Sequence, residues 1–450
     1  MTNIHYISKL FKIDKSKITD ELLKYFVTWT ERHICNKNEN TLFNNIKEFD
    51  FNRVAKKLYE EYKTDHFEKL LHIKIDPNNI YSSEHKKVRY YDELITYYLQ
   101  CRPNTFILTC WDRVKKEDVE NIVNFLKKNG NVYYTRKLEF TDKQLESLIY
   151  QLYIDAKRLS NIETIKEKIE YTSISKGVKN IHVIVFDNVN KLSLSGGRSE
   201  FKTELRNILL KKYGDKFRGD DFIHINDHYC QTIEYAQIYF NKYSRRHLQN
   251  FNLNKFYEHD FHKSKVMLLT YKKWLMENTN LLQRMKFCLM SGSTLFTHGV
   301  RPTNDIDGLY IDHENIMDNL VRKFFFNEKT KFFFSDIGSE NWKETWKESN
   351  KKWLDLLEIK NINELILNPR YHYYFLGVKV FRLEYEIFRK LKIVGSPKTL
   401  ADAYYLNLNT EIEINEFNSK QLILNFLKSK DNNYKNKFKH YLKKNYKINI

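Results

Sequence analysis

Glycine and proline are scarce in this chain, and their scarcity excludes several classes of protein. The 450 residues include only 12 Gly and 5 Pro, against usual levels of roughly 7% and 5%. Collagen-like, linker-like and low-complexity sequences need far more of both. No GxxxxGK[ST] or GxGxxG segment occurs, so P-loop ATPases, kinases and dinucleotide dehydrogenases would lack the glycine-rich loop that holds their phosphates.

Cysteines and long apolar runs are limited as well. The five cysteines are odd in number, widely spaced and never arranged as CxxC, which argues against a disulfide framework or a zinc ribbon. The first residues, MTNIHYISKLFKIDKSK, have no signal-peptide apolar core. No apolar run approaches the roughly 18 residues of a membrane span. We therefore expect an intracellular, cytoplasmic protein that does not enter a membrane.

Positive charge is what the chain has in excess. It carries 76 Lys+Arg against 57 Asp+Glu, a formal net charge of +19, and 42% of its residues are hydrophobic. From Asn418 onward there are nine lysines and one acidic residue, Asp431. A folded protein with such an excess favours a polyanionic partner such as RNA or DNA. The alternative is a solvated lysine tail that reflects the codon usage of an AT-rich genome.

Hydrophobic periodicity divides the chain into four regions. Residues 1–103 are predicted to be mainly helical, 104–255 and 256–410 alternate strands with helices, and 411–450 form a basic helical tail. The polar stretch NKYSRRHLQNFNLNKFYEHD separates the two alternating regions. We predict an α/β (α+β) fold class, in which each sheet has parallel parts and is layered by helices.

The strongest chemical signal is the segment MSGSTLFTHGVRPTNDIDGLYI. Gly292 and Ser293 end a predicted strand, and Asp305 and Asp307 open the next strand after eleven residues. Side chains at i and i+2 of a strand share a face, so the two carboxylates project together and favour bound cations. Gly292 allows close approach of a triphosphate, and Ser293 offers it a donor. The alternative is a capped turn followed by an aspartate-rich surface bend.

This segment resembles the hG[GS]…Dh[DE]h signature of the DNA polymerase β-like nucleotidyltransferase superfamily. The direct match covers residues 290–311, and the order of strands and helices extends it to roughly 285–410. The resemblance implies that 256–410 is the catalytic domain and that Asp305 and Asp307 bind Mg²⁺ or Mn²⁺. It also implies a third carboxylate from a later strand.

Four further residues are candidates for this site. Asp336, at the end of KFFFSDI, is the first choice for the third carboxylate and Glu384 is its competitor; either is equally typical of a helix start. Arg301 and Lys379 are candidate phosphate ligands, although isolated basic residues are more often solvated. Aromatic residues in NPRYHYYFLG offer a surface for stacking a base, with core packing as the alternative.

The first alternating region has a weaker candidate site. Asp187 and Asp227 end two apolar strands, where ligands of open α/β sheets bind. Between them, a basic stripe recurs at helical spacing through Arg198, Lys202 and Arg206. The stripe suits a phosphate backbone, or else the aspartates cap the next elements and the stripe faces solvent.

Members of this superfamily modify nucleic acid ends, small molecules or proteins. A catalytic region that follows about 260 residues of other structure resembles the poly(A) polymerase catalytic subunits of large DNA viruses. That resemblance implies template-independent transfer of AMP from ATP to an RNA 3′-hydroxyl with release of pyrophosphate. It also implies a viral source, association with virions, and a homodimer or a processivity partner.

Two alternatives remain open. A nucleotidyltransferase that modifies a small molecule or a protein, similar to LicD or fukutin in its GS…DxD pattern, would keep the metal site and need no basic surface. A catalytically inactive RNA-binding scaffold would keep the fold and the charge.

Overall fold

The protein is described here by a computed structural model. It describes residues 99, 105–153, 162–173, 177–187, 200–214, 217–227, 229–279, 284, 286–311, 332–336, 364–367, 371–389, 396–409 and 419–448. Two predictions lie wholly or largely outside these residues: the helical N-terminal region and the position of Arg198 in the basic stripe.

The chain divides into two compact units, residues 1–249 and 250–450. Both units contain helices and a sheet, so the predicted mixed helix-and-sheet class is confirmed. The division falls within the polar stretch 241–260 that the sequence marks as a boundary. Among the described residues, no helix combines the length and the apolar character that crossing a bilayer requires.

The first unit is built on a four-stranded sheet of order β2-β3-β1-β4. Its strands are β1 (Thr105–Cys110), β2 (Val132–Phe140), β3 (Lys179–Asp187) and β4 (Ile223–Ile225). Its helices are α1 (Lys116–Asn129), α2 (Asp142–Tyr153), α3 (Ile162–Thr172), α4 (Glu200–Tyr213), α5 (Tyr229–Tyr239) and α6 (Lys242–Asn250). Apolar side chains of β1, β3, β4, α1 and α4 form a core on one side of the sheet.

The prediction of parallel strands is wrong for this sheet, because every neighbouring pair is antiparallel. Two of the three connections return the chain in the same direction, since β1 and β2 both run against β3 and since β3 and β4 both run against β1. The connection from β2 to β3 reverses the direction. The reason for the difference is that β3 inserts between β1 and β2, and β1 lies between β3 and β4. Strand alternation therefore predicted the direction of two consecutive pairs, β1 with β2 and β3 with β4, but not which strands are neighbours.

The second unit contains a mixed five-stranded sheet of order β7-β6-β5-β9-β8. Its strands are β5 (Phe287–Met290), β6 (Ile306–Tyr310), β7 (Phe332–Asp336), β8 (His372–Phe375) and β9 (Val378–Phe381). Here the expected parallel pairs are present, β6 with β7 and β5 with β9. The helices are α7 (Leu253–Phe256), α8 (His259–Asn278), α9 (Gly292–Thr297), α10 (Glu364–Leu367), α11 (Leu383–Arg389), α12 (Pro397–Asn409), α13 (Ser419–Lys428) and α14 (Asn432–Tyr446).

The two faces of this sheet have different neighbours. One row of paired residues crosses all five strands on a single face: Phe334, Gly308, Leu289, Val380 and Tyr373. Helices α8 and α9 cover that face, since Tyr271 of α8 stacks on Phe334 and Thr297 of α9 hydrogen-bonds Tyr373. The adjacent row places Asp307 between Met290 and Phe333, on the opposite face.

The predicted basic tail is part of the second unit. Phe438, Leu442 and Tyr446 of α14 are buried in an apolar cluster with α9, α11, α12 and α13. The lysines of α14 occupy its outer side, so that charge and packing are separated around the helix. Helix α14 is thus held in place by its apolar stripe.

The absence of a side chain at Gly308 allows β6 and β7 to pack. A Cβ at this position would lie 2.2 Å from Cε1 of Phe334. We expect Gly308→Ala to lower the free energy of unfolding by roughly 1–3 kcal/mol through overpacking, as measured by urea denaturation. Phe334→Leu in the same chain should recover part of the loss, because the two changes share one contact. An alanine variant as stable as the wild type would contradict this packing.

Candidate functional site

The two halves of the GS…DID segment are in direct contact. The hydroxyl of Ser293 accepts a hydrogen bond of 3.0 Å from the backbone N–H of Asp307. A Cβ on Gly292 would lie 2.7 Å from Oγ1 of Thr303 and 3.8 Å from Oδ1 of Asp305. Only glycine leaves room for this contact, so Gly292, Ser293, Asp305 and Asp307 come together at one end of β5 and β6.

A sharp turn at Ser291 produces this contact. Ser291 has φ 58° and ψ −124°, a conformation that glycine adopts easily and other residues rarely do. The turn ends β5 and starts the six-residue helix α9, which carries Ser293 back toward β6. Non-glycine residues in such conformations cluster at functional sites, where surrounding structure holds them in place.

The carboxylates of Asp305 and Asp307 are half-buried at the start of β6. The hydroxyl of Thr303 donates to Oδ1 of Asp305 at 3.0 Å. Thr303 is itself fixed by Ser264 of α8, whose Oγ accepts from the Thr303 N–H at 2.9 Å and donates to its carbonyl at 2.7 Å. A chain of hydrogen bonds from the helix layer therefore orients Asp305.

The carboxylate pair presents the hard oxygen ligands that Mg²⁺ and Mn²⁺ prefer. Asp305 and Asp307 both remain partly exposed, so they can reach an ion from solvent. Two carboxylates are enough for a magnesium ion whose other ligands are water and phosphate oxygens. In the part of the chain that the structure describes, no group of three or more His, Cys, Asp or Glu is gathered around a metal position.

The two candidates for the third carboxylate, Asp336 and Glu384, have different positions relative to the strands. In the parallel register of β6 and β7, Asp307 pairs with Phe333, whereas Asp336 pairs with Tyr310. Three residues of strand separate those two pairs by roughly 10 Å. Glu384 instead accepts a hydrogen bond of 2.9 Å from Arg382. The backbone of Asp336 is thus three positions farther along β7 than the partner of Asp307, and the role of either acid as the third carboxylate stays a prediction.

Lys379 lies on the same face as Asp307, as its role as a phosphate ligand would require. Lys379 directly precedes Val380 on β9, so the two side chains leave the sheet from opposite faces. The side chain of Lys379 is buried. Its ammonium donates to the carbonyl of Ile366 in α10 at 3.0 Å. Burial lowers the pKa of Lys379 to about 8. The ammonium group of Lys379 is thus buried and donates to a backbone carbonyl of the protein.

Arg301 is occupied by a protein carboxylate. Its Nε and Nη2 donate to Oδ1 and Oδ2 of Asp402 at 2.9 Å each, and both side chains are buried. The hydroxyl of Tyr446 in α14 donates to the same carboxylate. Although burial lowers the pKa of Arg301, the charge of Asp402 outweighs it and raises the pKa above the ordinary value. Arg301 therefore has Asp402 as a partner where the sequence suggested a phosphate.

A second buried ion pair in α11 was not predicted. Arg389 donates to the two carboxylate oxygens of Glu386 at 2.7 and 3.1 Å. Burial lowers the pKa of Arg389, but Glu386 and, more weakly, Asp307 raise it above its usual value. A positive charge therefore acts on Asp307 from α11. The i, i+3 spacing of Glu386 and Arg389 was the available signal.

In the basic stripe of the first unit, Lys202 faces inward. Lys202 is buried and forms an ion pair with Asp227, which follows β4. The neighbouring Lys168 of α3 is also buried and pairs with Asp220 at 3.2 Å and Asp221 at 3.5 Å. Cations and carboxylates thus neutralise one another inside the unit. The sequence left open a solvent-facing or a phosphate-binding stripe, and at Lys202 the structure shows an internal ion pair.

The Arg301 pair is expected to stabilise the second unit strongly. We predict that Asp402→Asn lowers the free energy of unfolding by about 3–5 kcal/mol, because it leaves a buried guanidinium without its counter-charge. Urea denaturation monitored by tryptophan fluorescence measures the loss. Glu277→Gln, which breaks an exposed pair with Lys273 at 3.9 Å, is the matched control and should change stability by less than about 1 kcal/mol. Equal effects of the two variants would contradict the prediction.

No protein-family model matches this chain, and no curated protein or solved structure is detectably similar to it.

Proposed function

We propose that the second unit is a metal-dependent nucleotidyltransferase that adds AMP from ATP, or another NMP from its NTP, to an RNA 3′ end without a template. The observation that carries the proposal is the contact between the two motif halves. Gly292, Ser293, Asp305 and Asp307 meet at one end of the sheet, on a hydrogen-bonded support from α8. The GS and DID motifs are separated by eleven residues in the sequence, and in the structure they are in contact.

In this proposal each residue at the contact between the two motif halves has a defined role. Asp305 and Asp307 would hold Mg²⁺ or Mn²⁺, and the ion would neutralise charge on the triphosphate and on the attacking oxygen. Ser293 fixes the backbone of Asp307, and Gly292 keeps the space beside Asp305 free. Thr303 orients the Asp305 carboxylate. These residues position charge, which is the main source of catalysis in phosphoryl transfer.

The transfer balances as a single displacement. The 3′-oxygen of the RNA forms a bond to the α-phosphorus of the NTP, and the bond from that phosphorus to the oxygen bridging to the β-phosphate breaks. Pyrophosphate leaves with that bridging oxygen, and the proton of the 3′-hydroxyl passes to solvent. Asp336, with Glu384 as its competitor, stays the predicted third carboxylate that would assist this proton transfer.

The acceptor is proposed from the outer side of α14. Five of its lysines, or those that directly follow it, are exposed: Lys437, Lys439, Lys443, Lys444 and Lys447. The described part of α14 contains no acidic residue, and Asp431 caps its N-terminus. The helix is anchored in the same unit as the motif by the apolar cluster. A rigid row of cations supports a nucleic acid acceptor over a small molecule or a protein.

A second candidate function is RNA binding without catalysis. One observation favours it: the residue of β7 that pairs with Asp307 is Phe333, which is not a carboxylate. Arg389, which is paired with Glu386, also interacts electrostatically with Asp307. This candidate keeps the basic surface of α14 and predicts no product.

Nucleotide transfer can be tested directly with purified protein. We expect products extended from a short single-stranded RNA when Mg²⁺ or Mn²⁺ is present with labelled ATP, and less extension with the other three NTPs. Asp305→Asn/Asp307→Asn should abolish extension, because the metal ligands are lost. Asp260→Asn, an exposed aspartate of α8, is the matched control and should extend as the wild type does.

Other outcomes of this assay have definite meanings. Extension by the Asp305→Asn/Asp307→Asn variant would exclude this site as the catalytic one. RNA binding without extension by any NTP would favour the non-catalytic candidate. Transfer to a sugar or a protein in place of RNA would favour the LicD-like or fukutin-like alternative.

The role of α14 can be tested by its salt dependence. Replacing Lys437, Lys443 and Lys444 with Gln should weaken RNA binding at least about tenfold at low salt. It should also reduce the slope of log K against log salt by about 2, at roughly 0.7 per phosphate contact. Fluorescence anisotropy of a labelled single-stranded RNA measures both. Lys116→Gln/Lys127→Gln/Lys128→Gln, on exposed positions of α1, is the charge-matched control, and an equal loss there would contradict a specific surface on α14.

A further inference from the structure

Strand β7 exposes an aromatic ring in the middle of a run of three phenylalanines. Phe332 and Phe334 are 1% and 3% exposed, whereas Phe333 between them is 45% exposed. Alternation along a strand explains why the middle residue faces away from the core. A strand with one solvated face usually carries a polar residue at such a position. Phe333 is therefore a partly exposed aromatic ring on a face where a polar residue is usual.

The register places this ring beside the carboxylate pair. Asp307 and Phe333 are paired residues of two parallel strands, so their side chains leave the sheet from the same face. Neighbouring strands are about 4.8 Å apart. Asp305, two residues before Asp307, lies at the same end of β6. Phe333 is thus the exposed aromatic neighbour of Asp307 on β7.

We propose that Phe333 is a stacking surface for a nucleobase of the nucleotide held at Asp305 and Asp307. This inference rests on the proposed function and identifies the chemical group that the surface of Phe333 beside Asp307 binds. A nucleotide combines a flat aromatic base with phosphates that a carboxylate-bound cation attracts. Stacking accepts any base, because every base has a π-face. The same site then favours nucleotides without selecting among them by hydrogen bonding.

A nucleotide fits this position better than a protein partner does. One exposed ring offers far less area than a stable protein interface requires. Burying Asp307 beside it in an apolar interface would also remove a charge from water at considerable cost. A base covers the ring and leaves the carboxylates in contact with ions and water.

The base can belong to the incoming NTP or to the 3′-terminal residue of the RNA. Two probes separate these sources: the triphosphate of 2-aminopurine riboside, and a single-stranded RNA that ends in 2-aminopurine. Stacking on a ring quenches the fluorescence of 2-aminopurine. We expect the wild type with Mg²⁺ to bind and quench at least one of the two probes. The probe that is quenched identifies the source of the base.

Substitutions at Phe333 test the ring itself. Phe333→Leu keeps an apolar side chain and should weaken binding of that probe about tenfold and remove its quenching. Phe333→Tyr keeps a ring and should behave as the wild type. An RNA whose 3′ residue is abasic, or the triphosphate of ribose without a base, should bind equally to the wild type and to Phe333→Leu. Urea unfolding of each variant verifies that the fold is intact.

The outcomes distinguish this inference from the proposed function. Equal binding and quenching by the wild type and Phe333→Leu would overturn the stacking role, even if the protein extends RNA. Binding of neither probe by the folded wild type would also overturn it. Loss of quenching in Phe333→Leu would support the role even if no extension is ever detected, because the readout needs no catalysis.

Discussion

A buried ion pair in the loop between the two motif halves fixes the architecture of the second unit. Arg301 belongs to the loop that joins α9 to β6, and its partner Asp402 belongs to α12. Because Asp402 also accepts a hydrogen bond from Tyr446, the same carboxylate connects the motif loop to α14. A buried guanidinium is costly unless it is fully paired. The positions of α12 and α14 are therefore coupled to the position of the loop.

The candidate site combines that support with a strained turn. Ser291 adopts a conformation that favours glycine, and it directs Ser293 toward the start of β6. On the other side, Ser264 of α8 holds Thr303, which orients Asp305. The carboxylates thus stand on a frame built from the helix-covered side of the sheet, while they themselves emerge from the other side. Such a frame holds two acidic residues, Asp305 and Asp307, at the start of the same strand.

Much of this arrangement could be predicted from local sequence. Alternation predicted β1 to β7 and β9, and the i, i+2 spacing correctly placed Asp305 and Asp307 at the start of β6. The order of the strands in the sheet could not be predicted, because nothing in the sequence of β3 shows that it inserts between β1 and β2. The same limit applies to Asp336: its strand was predicted, but whether the acid lies near Asp307 depends on the parallel register. Arg301 and Asp402 are 101 residues apart, and single-sequence patterns contain no signal for their pairing.

The Arg301 pair also has a consequence for synthesis of the chain. At about 5–20 residues per second, the 101 residues between Arg301 and Asp402 take roughly 5 to 20 s to translate. During that interval the motif loop has no counter-charge for its guanidinium, so its burial is unfavourable. The strands of the second unit are made before the helices that complete their support. A nascent chain would therefore remain open at this site until α12 and α14 arrive, and the site would form late, together with the helices that bury Arg301.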